Sequence, residues 1–183
     1  DACYTDCMNV LMINTTPEDT GLNEAFSLIE STLKENGIHV FSVQIENREL
    51  HPCIKCGKCI RQRRCIYEDE VNSTASLAEQ SDALIIGSSV IYSSIPYITV
   101  SFLQRLFYSA SPKFAHKPAV SVTASRKGSA ENASHQIISF FEMADMITVT
   151  DQKHNRVSKD RLYPEEAKHL ENSVKRLIWL LES

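Results

Sequence analysis

Asp82-Ala83-Leu84-Ile85-Ile86-Gly87-Ser88-Ser89 is the stretch that decides the fold. Its apolar residues run without a break and then give way abruptly to Gly and Ser. A strand covered on both faces by helices reads this way, because neither face alternates with solvent. The stretch therefore predicts the centre of a parallel sheet, with a polar loop leaving its carboxyl end.

The flanking sequence fits that centre. Asn9-Val10-Leu11-Met12-Ile13-Asn14 is a second short apolar run, and Ala119-Val120-Ser121-Val122-Thr123 a third. Residues 38–45 alternate, with Phe41, Val43 and Ile45 apolar between Ser42 and Gln44, as expected nearer a sheet edge. Met146 to Thr150 predicts a fifth, short strand. Between the strands, apolar residues recur at helical spacing: Leu22, Phe26, Ile29 and Leu33, then Val100, Leu103 and Phe107, then Ala133, Ile137, Phe140 and Ala144. A short helix is expected near 70–80. Pro164 opens a last helix carrying Ala167, Leu170, Val174, Leu177 and Leu181 inward, and Trp179 lies off that stripe. Five strands alternating with helices predict an α/β fold: a doubly wound, five-stranded parallel sheet with helices on both faces. Ligands of such sheets bind beyond the carboxyl ends of the strands, where the strand order reverses. The loops to inspect are 14–22, 88–96 and 123–130.

The chain has 183 residues, enough for one well-buried core, and a formal charge of −4, which argues against a generic nucleic-acid binder. No stretch approaches a membrane span and no targeting segment is evident, so a cytoplasmic protein is expected. Residues 1–7, with Cys3 and Cys7, read as a tail or remnant before a single domain over 8–183.

Four cysteines crowd into residues 53–65, as Cys53-x2-Cys56-x2-Cys59-x5-Cys65, among Lys55, Lys58, Arg61, Arg63 and Arg64. Thiolates are ligands for soft metals, and this spacing suits an iron–sulfur cluster, with the basic residues offsetting its negative charge. Redox thiols and zinc are the alternatives. Structural zinc more often uses two Cys pairs a dozen or more residues apart, whereas these cysteines form one run. His51, beside the run, reads as a surface residue.

Three blocks carry a family resemblance. Leu11 to Pro17 is similar to a strand followed by a phosphate loop. Pro52 through Cys65, followed by Glu68-Asp69-Glu70, is similar to a cysteine block and an acidic helix start. Asp82 to Val90, then Tyr92-Ser93-Ser94, is similar to a strand and loop that cradle a flavin ring. Together they make the chain resemble the flavodoxin-like NADPH-dependent FMN reductase superfamily, and within it the iron–sulfur flavoproteins, over about residues 8 to 182.

The resemblance implies a flavodoxin-like domain that binds FMN. The phosphate would meet Thr15, Thr16, Thr20 and Asn23 at the start of the first helix, whose amide groups and dipole favour an anion. The ring would lie over Ser88, Ser89, Val90, Tyr92 and Ser93, with Ser125 and Arg126 closing the other side. It also implies hydride transfer from NAD(P)H to flavin and on to a small acceptor such as a quinone, or exchange of single electrons with a [4Fe–4S] cluster on Cys53, Cys56, Cys59 and Cys65. A third reading is a fold relative that has lost its cofactor. A small-molecule acceptor or a redox protein is the implied partner, in a homodimer or homotetramer. The stretch Ile95 to Val100, apolar on more than one face, is the expected contact strip.

The phosphate loop departs from the family pattern. Thr15 stands where the family has Gly, and Glu18-Asp19 where it has Arg-Lys; Ser89 replaces a Pro and Ile91 an aromatic. A carboxylate about 6 Å from a phosphate charge costs roughly 2–3 kcal/mol at an effective dielectric near 20. Glu18 and Asp19 are therefore expected either to weaken FMN binding or to face solvent as first-turn charges.

Overall fold

The computed structural model describes residues 8–45, 49–110, 113–126, 130–151 and 153–183. The expectations for residues 1–7 and for the part of the third loop at 127–129 lie outside these. The element order is β1 (Asn9–Asn14), α1 (Thr20–Glu35), β2 (His39–Gln44), α2 (Lys58–Gln62), α3 (Glu70–Gln80), β3 (Ala83–Ser89), α4 (Tyr97–Ala110), β4 (Pro118–Ser125), α5 (Glu131–Met143), β5 (Ile147–Val149), β6 (Arg156–Ser158) and α6 (Pro164–Glu182). The main path of the sheet runs β2-β1-β3-β4-β5, all parallel. The chain moves from β1 to one side and returns to place β3 on the other, so the strand order reverses at the carboxyl ends of β1 and β3.

Alternation within the central strands sends side chains to two cores. Leu11, Ile13, Leu84 and Ile86 meet α3, α4 and α5, including Phe102, Leu106, Ile137 and Phe141. Val10, Met12, Ile85, Val120 and Val122 meet α1 and α6, including Leu22, Ile29, Leu33, Val174 and Leu177. In α5 the inward aromatic is Phe141, while Phe140 is half-buried. At the end of α1, Ile38 N–H donates to Leu33 O at 3.1 Å and Gly37 N–H to Lys34 O at 3.0 Å. With Gly37 at φ 75° this is a Schellman stop, and it brings Ile38 onto the core beside Leu33.

Two elements depart from expectation. The fifth strand is interrupted: β5 pairs with Pro118–Val120 of β4, and β6 resumes along the same strand opposite Thr123–Ser125. Between them Asp151 Oδ1 accepts from Lys153 N and Asn155 N, both at 2.9 Å, and residues 153–155 form a turn. Arg156-Val157-Ser158 has one apolar residue and hence no readable period. The five-residue α2, inside the cysteine run, buries no residue and leaves no apolar stripe either. The stretch Ile95–Val100 is not a free strip: Ile95, Pro96, Ile98 and Thr99 are buried within the chain, leaving Tyr97 outward.

Candidate functional site at the carboxyl edge of the sheet

The first loop leaves β1 at Asn14. Thr15 N–H donates to Gly87 O at 2.9 Å, and the Thr15 hydroxyl to the same oxygen at 2.8 Å. That hydroxyl also meets Thr99 Oγ1 at 2.8 Å, which reaches Ser88 Oγ at 3.0 Å, giving a buried chain of three hydroxyls under the loop. Thr16 N–H donates to Asn14 Oδ1 at 3.0 Å, and Thr16 Oγ1 accepts from Ser89 N–H at 2.7 Å. Asn23 is tied to Pro17 O and to Asn14. Thr15, Thr16, Asn23, Ser88 and Ser89 thus lie together at this edge, bonded to one another and to Asn14, Pro17, Gly87 and Thr99. Thr20 is exposed at the start of α1.

Asp19 and Glu18 separate. Glu18 is exposed, whereas Asp19 is buried. Asp19 holds the N-cap position, yet its side chain caps nothing; it pairs with Lys159 Nζ at 3.0 Å. Its Oδ2 is buried without a hydrogen-bond partner. Burial raises the Asp19 carboxyl above its ordinary pKa, with the Lys159 hydrogen bond and charge pulling the other way. Of the two alternatives expected for this pair, Glu18 follows the solvent-facing one and Asp19 the inward-facing one.

The second loop is a tight hairpin. Ile91 and Ser94 exchange backbone hydrogen bonds of 2.8 and 3.1 Å, and between them Tyr92 and Ser93 lie at φ 49° and 68°. Two left-handed residues in succession are the mark of a type I′ turn, ordinarily built with Asn-Gly. Helix α5 holds it down: Asn132 donates to Ser93 O at 2.8 Å, and Gln136 Oε1 accepts from Ser94 Oγ and Ile95 N–H. Tyr92 stands fully in solvent, with Ile91 and Tyr97 also exposed. Val90 N–H donates to Ala124 O at 2.8 Å, which joins this loop to the third. There Ser125 is buried, and Arg126, exposed, lies 3.7 Å from Asp160 Oδ1.

The four cysteines are free thiols lining one cavity of about 260 Å³. Left-handed Lys55, Gly57 and Arg63 turn the run around α2. Cys56 is exposed and the other three are half-buried. Burial pushes the Cys59 thiol up, as do the charges of Cys53, Cys65 and Cys56 nearby. Among the described residues, no group of three or more His, Cys, Asp or Glu side chains is arranged to hold a metal ion. The expected ligand set of Cys53, Cys56, Cys59 and Cys65 is thus present as a shared lining and not as a formed metal centre. The loop around them is open, with Cys56 in solvent.

The cation that meets a sulfur is not one of the five basic residues in the run, all of which are exposed. It is Arg105 of α4, whose side chain is 1% exposed. Its Nε donates to Cys65 Sγ at 3.2 Å, and Nη1 and Nη2 grip Asp69 at 2.7 and 2.8 Å. The guanidinium also stacks 5.0 Å from the Tyr67 ring, which in turn stacks on the exposed His51. Burial opposes the Arg105 charge, but the bonds to Asp69 and Cys65 outweigh it and raise its pKa. Asn72 completes the anchor, accepting from Cys65 N–H and donating to the carbonyls of Cys65 and Tyr67. A lone arginine in an apolar helix was the available sequence signal. Lys159 had none.

An open parallel sheet of order β2-β1-β3-β4-β5, with three loops meeting at the carboxyl ends of β1, β3 and β4, defines a flavodoxin-like α/β protein. Solved structures agree on the fold. A flavodoxin from the domain Archaea aligns with TM-score 0.67 at 10% identity, covering 96% of this chain and 100% of that one. RosB, in a structure with bound 8-demethyl-8-formylriboflavin-5′-phosphate, aligns with TM-score 0.70 at 14% identity, covering 96% and 79%. The chain belongs to the NADPH-dependent FMN reductase family, whose model matches residues 8–156. An iron–sulfur flavoprotein of Methanocaldococcus jannaschii is 29% identical over 149 residues, 79% of this chain and 77% of the relative. Iron–sulfur flavoproteins of Methanosarcina thermophila and Archaeoglobus fulgidus are 29% and 28% identical. The matches cover 66% and 51% of this chain, and 65% and 42% of those relatives.

Proposed function

We propose that the chain is a flavin-dependent oxidoreductase that takes hydride from NAD(P)H and passes reducing equivalents to a small acceptor such as a quinone. The observation that carries this is the meeting of three loops at the switch point of a chain in the FMN reductase family. A bound flavin supplies the hydride and electron chemistry; the protein supplies position and electrostatics. Ser88, Ser89 and Val90 would back the ring, Tyr92 would offer an aromatic face, and Ser125 and Arg126 would flank it. The hydroxyl chain of Thr15, Thr99 and Ser88 holds the loop beneath rigid. Arg126, exposed at the rim, would meet the anionic part of a nicotinamide cofactor. The test is NAD(P)H oxidation under anaerobic conditions with a quinone, with and without added flavin. Flavin-dependent oxidation is expected; none with either nucleotide would reject the reading.

A second reading is an electron carrier in which a [4Fe–4S] cluster on Cys53, Cys56, Cys59 and Cys65 exchanges electrons with the flavin. The names of the similar proteins and the thiol-only metal-ligand chemistry of the cavity favour it. Arg105 would then place a buried positive charge and an N–H beside one cysteine. Anaerobic reconstitution that incorporates neither iron nor sulfide would eliminate it. A homodimer remains part of the proposal, and its exposed apolar surface is Ile54, Ile60, Tyr108 and Met143 rather than the strip at 95–100.

A further inference from the structure

We infer that the anion site at the start of α1 is filled by the chain's own groups, and that Asp19 makes the protein select an unphosphorylated flavin over FMN. This rests on the flavin reading above, and concerns which flavin the site takes. A phosphate at a helix start needs free N–H groups, the positive end of the helix and room. Several of these are already in use. Gly21 N–H donates to Lys159 O at 2.9 Å. The segment after β6 lies so close over the first turn of α1 that a Cβ on Gly21 would stand 1.9 Å from Ser158 O. The amide groups of Thr15 and Thr16 and the Thr15 hydroxyl donate within the protein, and Thr16 Oγ1 accepts from Ser89.

The cation at this place, Lys159, already has an anion in Asp19, whose side chain is 1% exposed. Asp19 holds the N-cap position, but its side chain makes no capping bond, so its carboxylate is a negative charge buried at the start of α1. Taken alone, that carboxylate would cost a phosphate about 6 Å away roughly a hundredfold in affinity per unit charge at an effective dielectric of 20, and Lys159, already paired with it, has no uncommitted charge to offer the phosphate instead. A ribityl chain ending in a hydroxyl brings no charge. Its O–H is also a donor of the kind that the unpartnered Asp19 Oδ2 lacks.

The test titrates the intact protein and Asp19→Asn with FMN and with riboflavin, followed by flavin fluorescence, and melts both proteins in millimolar inorganic phosphate. The wild type is expected to bind riboflavin at least as tightly as FMN. Asp19→Asn should tighten FMN at least tenfold, leave riboflavin within about threefold, and gain a phosphate-dependent rise in melting temperature that the wild type lacks. Asp19→Ser serves as the second variant, and Lys159→Met should not tighten FMN. A wild type that prefers FMN tenfold or more, or that phosphate stabilises, overturns the inference and leaves the flavin reading standing. Failure of all these proteins to bind either flavin overturns the flavin reading and this selectivity with it.

Discussion

Replacing Arg105 by Met removes the guanidinium while keeping an apolar stem of similar reach. The structure shows what is lost: two charged hydrogen bonds to Asp69 at 2.7 and 2.8 Å, one to Cys65 Sγ, longer ones to His51 O and Tyr67 O, and the stack on Tyr67. Breaking a buried pair by deleting one partner costs about 3–5 kcal/mol, chiefly because the remaining charge stays buried. Asp69 is 14% exposed and keeps a hydrogen bond from Val71 N–H, so the lower end, about 3 kcal/mol, applies. For a chain of this size that is a fall of about 6–12 °C in melting temperature. Thermal melts of the wild type and Arg105→Met measure it. Arg64→Ala is the control, since Arg64 and Glu68 pair in full solvent and their loss should leave the transition in place. A shift below about 2 °C for Arg105→Met would refute Arg105 as the anchor of the cysteine loop.

Two further perturbations read other parts of the site. The Asp19 carboxyl titrates above its usual value of 3.8 in the folded chain, so between 3.8 and the raised value the folded state binds more protons than the unfolded. Stability from this group therefore falls as pH rises through that window, and Asp19→Asn should gain on the wild type from pH 3.5 to pH 7 in thermal melts; a gap that narrows contradicts this. In the ring loop, Ser93 sits at φ 68°, where a non-glycine residue costs on the order of 1 kcal/mol. Ser93→Gly should stabilise by about 0.5–1 kcal/mol, read as a rise of about 1–4 °C; a fall would show that the turn is not strained.

The central sheet was legible because Leu84, Ile85 and Ile86 are apolar on both faces, and because Leu22, Phe26, Ile29 and Leu33 keep helical spacing. That the strands run parallel followed from their alternation with helices, whereas their order was read only from the structure. The second half of the edge strand was not legible, since Val157 is its one apolar residue and its pairing depends on a turn built by Asp151. In the site, the cysteine spacing pointed to one shared cavity, and the strand–helix alternation put the three loops at one edge. The buried charged contacts of the site were hidden. Arg105 acts on Cys65, 40 residues away in sequence, and Lys159 acts on Asp19 across most of the chain. The sequence marks Asp19 as a misfit in a phosphate loop, but only the fold shows it turned inward against a lysine.

Direct measurement of flavin binding tests the central claim. The protein, prepared anaerobically, is titrated with riboflavin and FMN while the flavin absorption bands and fluorescence are followed, and any flavin carried through purification is released and identified. Saturable binding of one flavin per chain, with perturbed bands and quenched emission, is the expected result. Unchanged spectra for both flavins and no flavin released from the purified protein would contradict it.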